Sequence, residues 1–188
     1  MIRLWDYHKM HLASSCRVFM IAGMLLAIFT ACDNKQLKIG DTAPDISSKD
    51  LHGNAVGTAQ LRGKIAIIYF WTNSCCGDCL KKVEPLYIKN KDKGLAVLAV
   101  NEGDNKEIVE SYTKANGITF TMLIDDKIRL LKQYQVFGFP SIFIIDQNGI
   151  IREKILGDMQ IEKLQKLVNK QLDIRSKAEE AYEKNRSR

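Results

Sequence analysis

The sequence predicts an α/β domain: a central mixed β-sheet flanked by helices, with an N-terminal β-hairpin extension. Three observations predict it. Two apolar runs, residues 65–71 and 95–100, are continuous and rich in β-branched, aromatic or small side chains, as strands buried on both faces of a sheet are. Between them a helical pattern puts Leu80, Val83, Leu86 and Tyr87 on one stripe, so the segment reads as a β-α-β unit with parallel strands and a right-handed crossover. Farther on, an apolar run at residues 142–145 leads into Asp146-Gln147-Asn148-Gly149, a hairpin turn that returns the chain into residues 150–156.

In chain order, the N-terminus reads as an address. Arg17 precedes an apolar run over residues 18–29, too short to prefer spanning a bilayer as a mature helix. Thr30-Ala31-Cys32 closes it, and polar Asp33-Asn34-Lys35 follows. Residues 1–32 are expected to be a signal peptide with a lipobox-like end, in which Cys32 is acylated and becomes the new N-terminus. Phe29 departs from that pattern, which usually has Leu three residues before the cysteine. A plain signal peptide, or an uncleaved anchor with Cys32 an incidental thiol, is the other reading. Several acyl chains on one residue would hold the domain at a membrane, since each buried methylene adds ~0.8 kcal/mol.

Residues 33–38 read as a polar tether and 39–170 as the folded domain. A leading segment runs into a hairpin around Asp50-Leu51-His52-Gly53-Asn54, with a Gly-Asn turn. Leu61-Arg62-Gly63-Lys64 is a turn feeding the central strand. The helix after the cysteines is expected to reach about residue 89, with a kink at Pro85. Residues 106–116 form an amphipathic helix with Ile108, Val109 and Tyr112 inward, closed by Asn116-Gly117. A short strand at 119–124 and a helix at 127–133 follow. The last helix begins near Gln160, with Ile161, Leu164, Leu167 and Val168 as its buried stripe. Residues 171–188 are almost all charged or small, and read as a solvated helical tail.

Composition narrows the function. The formal charge is +6, but residues 1–32 hold Arg3, Lys9, Arg17 and Asp6, so the rest carries 25 basic against 21 acidic side chains. No arginine-rich run or interleaved aromatics accompany that mild excess, and nucleic acid is not an expected partner. Of the five cysteines, Cys16 leaves with the signal and Cys32 is capped by lipid. Cys75, Cys76 and Cys79 remain, clustered where an exported protein using cysteines as staples would scatter them. They stand where a strand hands over to a helix. There the unpaired N–H groups and dipole of the helix start favour a thiolate, which is the reactive form.

The chain resembles the membrane-tethered TlpA/ResA-like thiol–disulfide oxidoreductases, which have a thioredoxin-like fold. The resemblance covers about residues 37–168. It rests on Gly40-Asp41-x-Ala43-Pro44-Asp45, Asp50-Leu51-x-Gly53, Phe70-Trp71 and Val100-Asn101, with Tyr134-x-Val136-x-Gly138-x-Pro140-Ser141 and Ile145-Asp146-x-x-Gly149. It implies a cis Pro140 beside the cysteine pair, with the Phe139 backbone pairing with a bound partner's extended chain and Trp71 contributing to the substrate surface. It also implies a cell-envelope location, membrane-anchored on the extracytoplasmic (periplasmic) side. Partners would be exported proteins bearing disulfides or thiols and an upstream membrane electron donor. No cofactor is expected.

Two departures keep the site open. Relatives read Trp-x-x-Trp-Cys-x-x-Cys with Pro five residues after the second cysteine; here one extra residue separates Trp71 from Cys76, and Pro85 lies six after Cys79. Where relatives often carry a glutamate three residues after the second cysteine, thought to assist proton transfer, this chain has Lys82, with Glu84 two further on. Cys76 is the expected nucleophile, its sulfur exposed, and Cys79 the more buried resolving thiol. Asp78 would raise the thiolate's pKa and make the pair a better reductant. Cys75-x-x-x-Cys79 is the alternative pair, with the spacing of Sco-like copper chaperones, but the histidine those need far along the chain is missing after His52. A purely thiolate Cu(I) carrier using Cys75, Cys76 and Cys79 is the alternative function. Cys75 itself is either a buried small hydrophobe or a third thiol. A peroxiredoxin would need Pro-x-x-x-Thr before its cysteine, and nothing before Cys75 supplies it.

Overall fold

The computed structural model describes residues 36–187, so the expectations on residues 1–35, Cys16 and Cys32 among them, lie outside the described residues. Two sheets form. Strands β1 (Ser47–Lys49) and β2 (Ala55–Gly57) pair antiparallel across the Asp50–Asn54 turn as the expected hairpin. The Asp50 carboxylate holds that turn by accepting the N–H groups of His52 and Asn54.

The second sheet contains β3 (Ile65–Trp71), β4 (Leu95–Asn101), β5 (Thr121–Ile124), β6 (Ser141–Ile145) and β7 (Ile151–Leu156), in the order β5-β4-β3-β6-β7. Pairing is parallel from β3 through β4 to β5 and antiparallel from β3 through β6 to β7. The sheet is mixed, as the sequence predicts. Every residue of β3 is buried, which explains why its sequence does not alternate.

Among the described residues four α-helices flank the sheet: α1 (Cys79–Asn90), α2 (Lys106–Ala115), α3 (Arg129–Gln133) and α4 (Ile161–Arg186). Helix α1 sinks Leu80, Val83 and Leu86 into a core shared with Ile65, Ile67, Tyr69 and Trp71. Each such side chain contributes roughly 1.5–3 kcal/mol. A second core, including Phe70, Phe143 and Tyr134, packs on the other face of the sheet. Helix α2 buries Val109 and Tyr112, but Ile108 is 40 % exposed, correcting its inward assignment. The Asn105 cap fixes the start of that turn by accepting the Ile108 N–H.

Helix α4 continues unbroken through residue 186. Gln171 and Leu172 are still buried, and Arg175 donates to the carbonyls of Gly63 and Lys93, so docking continues past residue 170. Among the described residues no helix is long and apolar enough to cross a membrane.

Candidate active site

The parallel pairing brings Trp71 opposite Asn101 at the C-terminal ends of β3 and β4, and the chain leaves β3 there into Thr72–Asp78. Thr72 shapes the turn, its hydroxyl and its carbonyl both accepting the Cys75 N–H. Asp104 pins it from the neighbouring loop, where one carboxylate oxygen accepts both the Asn73 N–H, at 2.7 Å, and the Asn101 side-chain amide, at 2.8 Å.

Cys76 and Cys79 are joined by a disulfide, with Cα atoms 5.3 Å apart. The pairing follows the Cys-x-x-Cys reading. Cys75 is the free thiol and is exposed, so it is not the buried small hydrophobe considered from sequence. In this oxidised state Cys76 is 1 % exposed and Cys79 7 %, so the exposed sulfur expected at Cys76 is corrected, as is the deeper burial expected at Cys79. Helix α1 starts at Cys79, not at Cys76. The first-turn N–H groups therefore gather around the second cysteine, while Cys76 lies in the turn before the helix. Among the described residues no three His, Cys, Asp or Glu side chains group to hold a metal.

Asp78 caps α1 without a side-chain bond to the helix and instead meets Lys82 at 3.0 Å. Lys82 holds the Asp78 carboxyl below the usual carboxylate range, and Asp78 in turn raises Lys82. The charge expected to act on the thiolate is thus matched by a cation one turn away. Glu84 is engaged elsewhere, its carboxylate accepting both the Thr119 N–H and the Thr119 hydroxyl. It ties α1 to the segment before β5.

The loop after α3 approaches from the β6 side. Phe70 pairs with Ser141, so residues 138–140 sit at the same end of the sheet as the cysteine turn. The Phe139–Pro140 peptide bond is cis, as the resemblance implied. Ser141 donates its hydroxyl to the Gly138 carbonyl at 2.7 Å and closes this loop. Phe139 is half-buried and Pro140 buried. Trp71, expected at the substrate surface, is 0 % exposed; its ring lies 4.6 Å from that of Tyr112.

Sequence reasoning missed three residues here. Phe137 stands 81 % exposed on the Pro140 loop, and Leu156, whose side chain approaches the neighbouring Gly138, is 68 % exposed. Nothing in the apolar pattern separates it from the core phenylalanines. Glu102 follows Asn101, and its N–H donates to the Trp71 carbonyl. One of its carboxylate oxygens is buried without a partner, and burial, then Asp125 and Asp126, push its pKa up. Tyr112 was assigned to the core, but its hydroxyl is a polar signal on that inward stripe. A cavity of about 800 Å³ opens at the opposite end of β3 and β4 among Arg62, Lys64, Lys91, Lys93 and Arg175, away from Cys75, Cys76 and Cys79.

Residues 39–154 match the AhpC/TSA family. A thiol-disulfide oxidoreductase ResA of Geobacillus kaustophilus is 35 % identical over 130 residues, 68 % of this chain and 75 % of that protein. The crystal structure of the thioredoxin domain of a thiol-disulfide oxidoreductase from Bacteroides vulgatus superposes with a TM-score of 0.59 at 28 % identity, covering 70 % of this chain and 99 % of that one. A thiol:disulfide interchange protein of the thioredoxin family from Chlorobium tepidum gives 0.66 at 22 % identity, over 72 % and 99 %, which speaks to the fold alone.

Proposed function

The chain belongs to the AhpC/TSA family as a thiol–disulfide oxidoreductase with a thioredoxin-like fold, and from that premise we propose that it reduces disulfides in exported proteins while tethered to a membrane on its extracytoplasmic side. The observation that carries the proposal is the Cys76–Cys79 disulfide at the β3-to-α1 turn, at the same end of the sheet as the cis Phe139–Pro140 bond. Cys76 is the nucleophile and Cys79 the resolving thiol.

In the forward reaction the Cys76 thiolate attacks a sulfur of the partner disulfide, forming a mixed disulfide and releasing the partner's other sulfur as a thiolate. Cys79, as thiolate, then attacks Cys76. The Cys76–Cys79 bond forms, the bond to the partner breaks, and the second partner sulfur leaves with the electron pair and takes a proton from water. The partner gains two electrons and the pair loses them. A membrane electron donor returns them. During attack the Phe139 backbone pairs with the partner's extended chain, held in place by Pro140.

Tethering rests on the sequence of residues 18–32 and places Cys32 at the lipid surface. The short run to Leu37 spans at most ~18 Å at full extension, so the domain stays close to the bilayer.

Insulin reduction by the wild-type chain and its loss in Cys76→Ser test the reaction. In Cys79→Ser the mixed disulfide through Cys76 accumulates. Retained activity in Cys76→Ser overturns the assignment. A redox potential well above those of thioredoxin-like reductants overturns the direction of electron flow.

A further inference from the structure

We infer that the Tyr112 hydroxyl is a positioning group for the resolving cysteine, relaying the Leu80 N–H at the start of α1 to the Cys79 sulfur when the disulfide opens. The inference deepens the proposed reaction and rests on Cys79 as its resolving thiol.

Four observations carry it. Tyr112 is 8 % exposed, and its hydroxyl is one of three buried side-chain atoms without a hydrogen bond among the described residues. Such an atom loses its hydration on folding and gains nothing back, at a cost of about 1–3 kcal/mol. The backbone group that acts on this hydroxyl is the Leu80 N–H, which has no carbonyl four residues back within the helix to bond. Tyr112 also shares one core with Cys76, Cys79, Leu80 and Trp71, and its ring is braced 4.6 Å from Trp71. Finally, α1 begins at Cys79 itself, so its positive end is centred on this sulfur.

In the oxidised state the sulfur is neutral and the hydroxyl idle. Reduction changes that. A Cys79 thiolate in this apolar setting needs donors, and a phenol can accept from Leu80 while donating its O–H to sulfur. Burial keeps Tyr112 protonated by raising its pKa, an effect that Leu80 opposes and Asp78 reinforces. The hydroxyl therefore gives a hydrogen bond, not a proton. The proton leaving Cys79 goes to water. The charged groups around the site are Asp78, its partner Lys82, and Asp158, which acts on Lys82 and on Tyr69. None of them replaces a neutral donor inside the core. The arrangement puts a buried phenol in the same core as the resolving cysteine, in a chain that has Lys82 where relatives often have glutamate.

The test is Tyr112→Phe, which keeps the ring on Trp71 and removes only the oxygen. In the full-length Cys76→Ser variant, iodoacetamide labelling of Cys79 is followed against pH by peptide mass. Loss of the hydroxyl is expected to move the profile to higher pH and slow labelling at neutral pH by about tenfold. In the chain with its cysteines intact, the oxidised form is expected to melt higher, because an unpartnered hydroxyl has gone, while the reduced form does not. The couple's potential then falls by about 30 mV for a tenfold change in equilibrium constant. A tyrosine that merely packs moves both forms equally. An unmoved labelling profile with an unmoved potential overturns the inference. If the wild-type chain reduces no protein disulfide, the proposed function fails separately, because labelling and potential read Cys79 directly.

Discussion

Cys75 and Cys76 are neighbours in sequence on opposite sides of the protein surface: the Cys75 thiol is exposed, whereas Cys76 is 1 % exposed inside its disulfide. One peptide unit separates a sulfur any reagent can reach from one that only an opened turn presents. The Cys75 N–H, held by both the carbonyl and the hydroxyl of Thr72, fixes that division.

The first prediction concerns that division. Without reductant, iodoacetamide labels Cys75 and leaves Cys76 and Cys79 unmodified, and peptide mapping finds the Cys76–Cys79 bond. Cys75→Ser is expected to keep most of the insulin-reducing activity, within about threefold, because the paired sulfurs are unchanged. A Cys75–Cys79 bond in the oxidised protein, or activity lost in Cys75→Ser, reassigns the pair.

Phe137 is the second target. A phenyl ring 81 % exposed beside the Gly138–Pro140 loop contributes little to folding but offers apolar surface to whatever pairs with Phe139. Phe137→Ser is expected to raise KM for a protein disulfide severalfold and leave turnover of a small aromatic disulfide unchanged. Its melting temperature moves little, since exposed substitutions stay within about 0.5 kcal/mol. Equal loss on both substrates would mean that the ring shapes the cysteine turn instead.

The sheet and the cysteine pair were legible because their signals are local. Continuous burial makes β3 and β4 apolar along their whole length, and Asp146 to Gly149 spells a turn. The cis Phe139–Pro140 bond was reachable through resemblance, not from composition. Exposure was the illegible part. The sequence of Trp71 and Phe137 does not say that the first is sealed under Tyr112 and the second stands in water, because tertiary contacts decide both. The start of helix α1 has the same limit: the sequence puts Cys76 at the helix start, yet the helix begins at Cys79, after a turn tied by Thr72 and Asp104. The tail misled in the opposite sense. Its charge reads as solvated, while Arg175, 21 % exposed, locks onto two backbone carbonyls.

That lock gives the third prediction. The Arg175 guanidinium bonds the Gly63 carbonyl at 2.6 Å and the Lys93 carbonyl at 2.9 Å, closing α4 over the turns that precede β3 and β4. Charge-assisted bonds of this kind contribute about 1.5–3 kcal/mol where water is excluded and less where it is not. Arg175→Ala is expected to cost about 2 kcal/mol in urea unfolding. Removing everything after Ser176 costs under ~1 kcal/mol, because the Glu179 partner is surface-exposed and such pairs are weak. Gly94→Ala is expected to destabilise as well: its φ is +87°, and a β-carbon there collides with the Arg175 guanidinium. A truncation as damaging as Arg175→Ala would move the stabilising contacts into the tail itself.

The fourth prediction is a pH dependence, and its sign follows from Glu102. Burial, reinforced by Asp125 and Asp126, lifts the pKa of this carboxyl in the folded chain above its unfolded value. Folding therefore favours the protonated form. The associated stability is full below the unfolded pKa, near 4.3, and is lost as pH rises through the higher folded value. At neutral pH the ionised carboxylate is a liability at the end of β4, with one oxygen buried and unpartnered and two further carboxylates near. Asp125 cannot relieve it by moving, since its own oxygens hold the N–H groups of Arg129 and Leu131 at the start of α3. Glu102→Gln is thus expected to raise the melting temperature at pH 7, and the gain is expected to vanish as the pH falls to about 4. Parallel melting curves for both proteins between those limits decide it. A difference that stays constant with pH would assign the effect to packing against the Trp71 carbonyl, whereas a gain that grows on acidification would reverse the sign argued for the carboxyl.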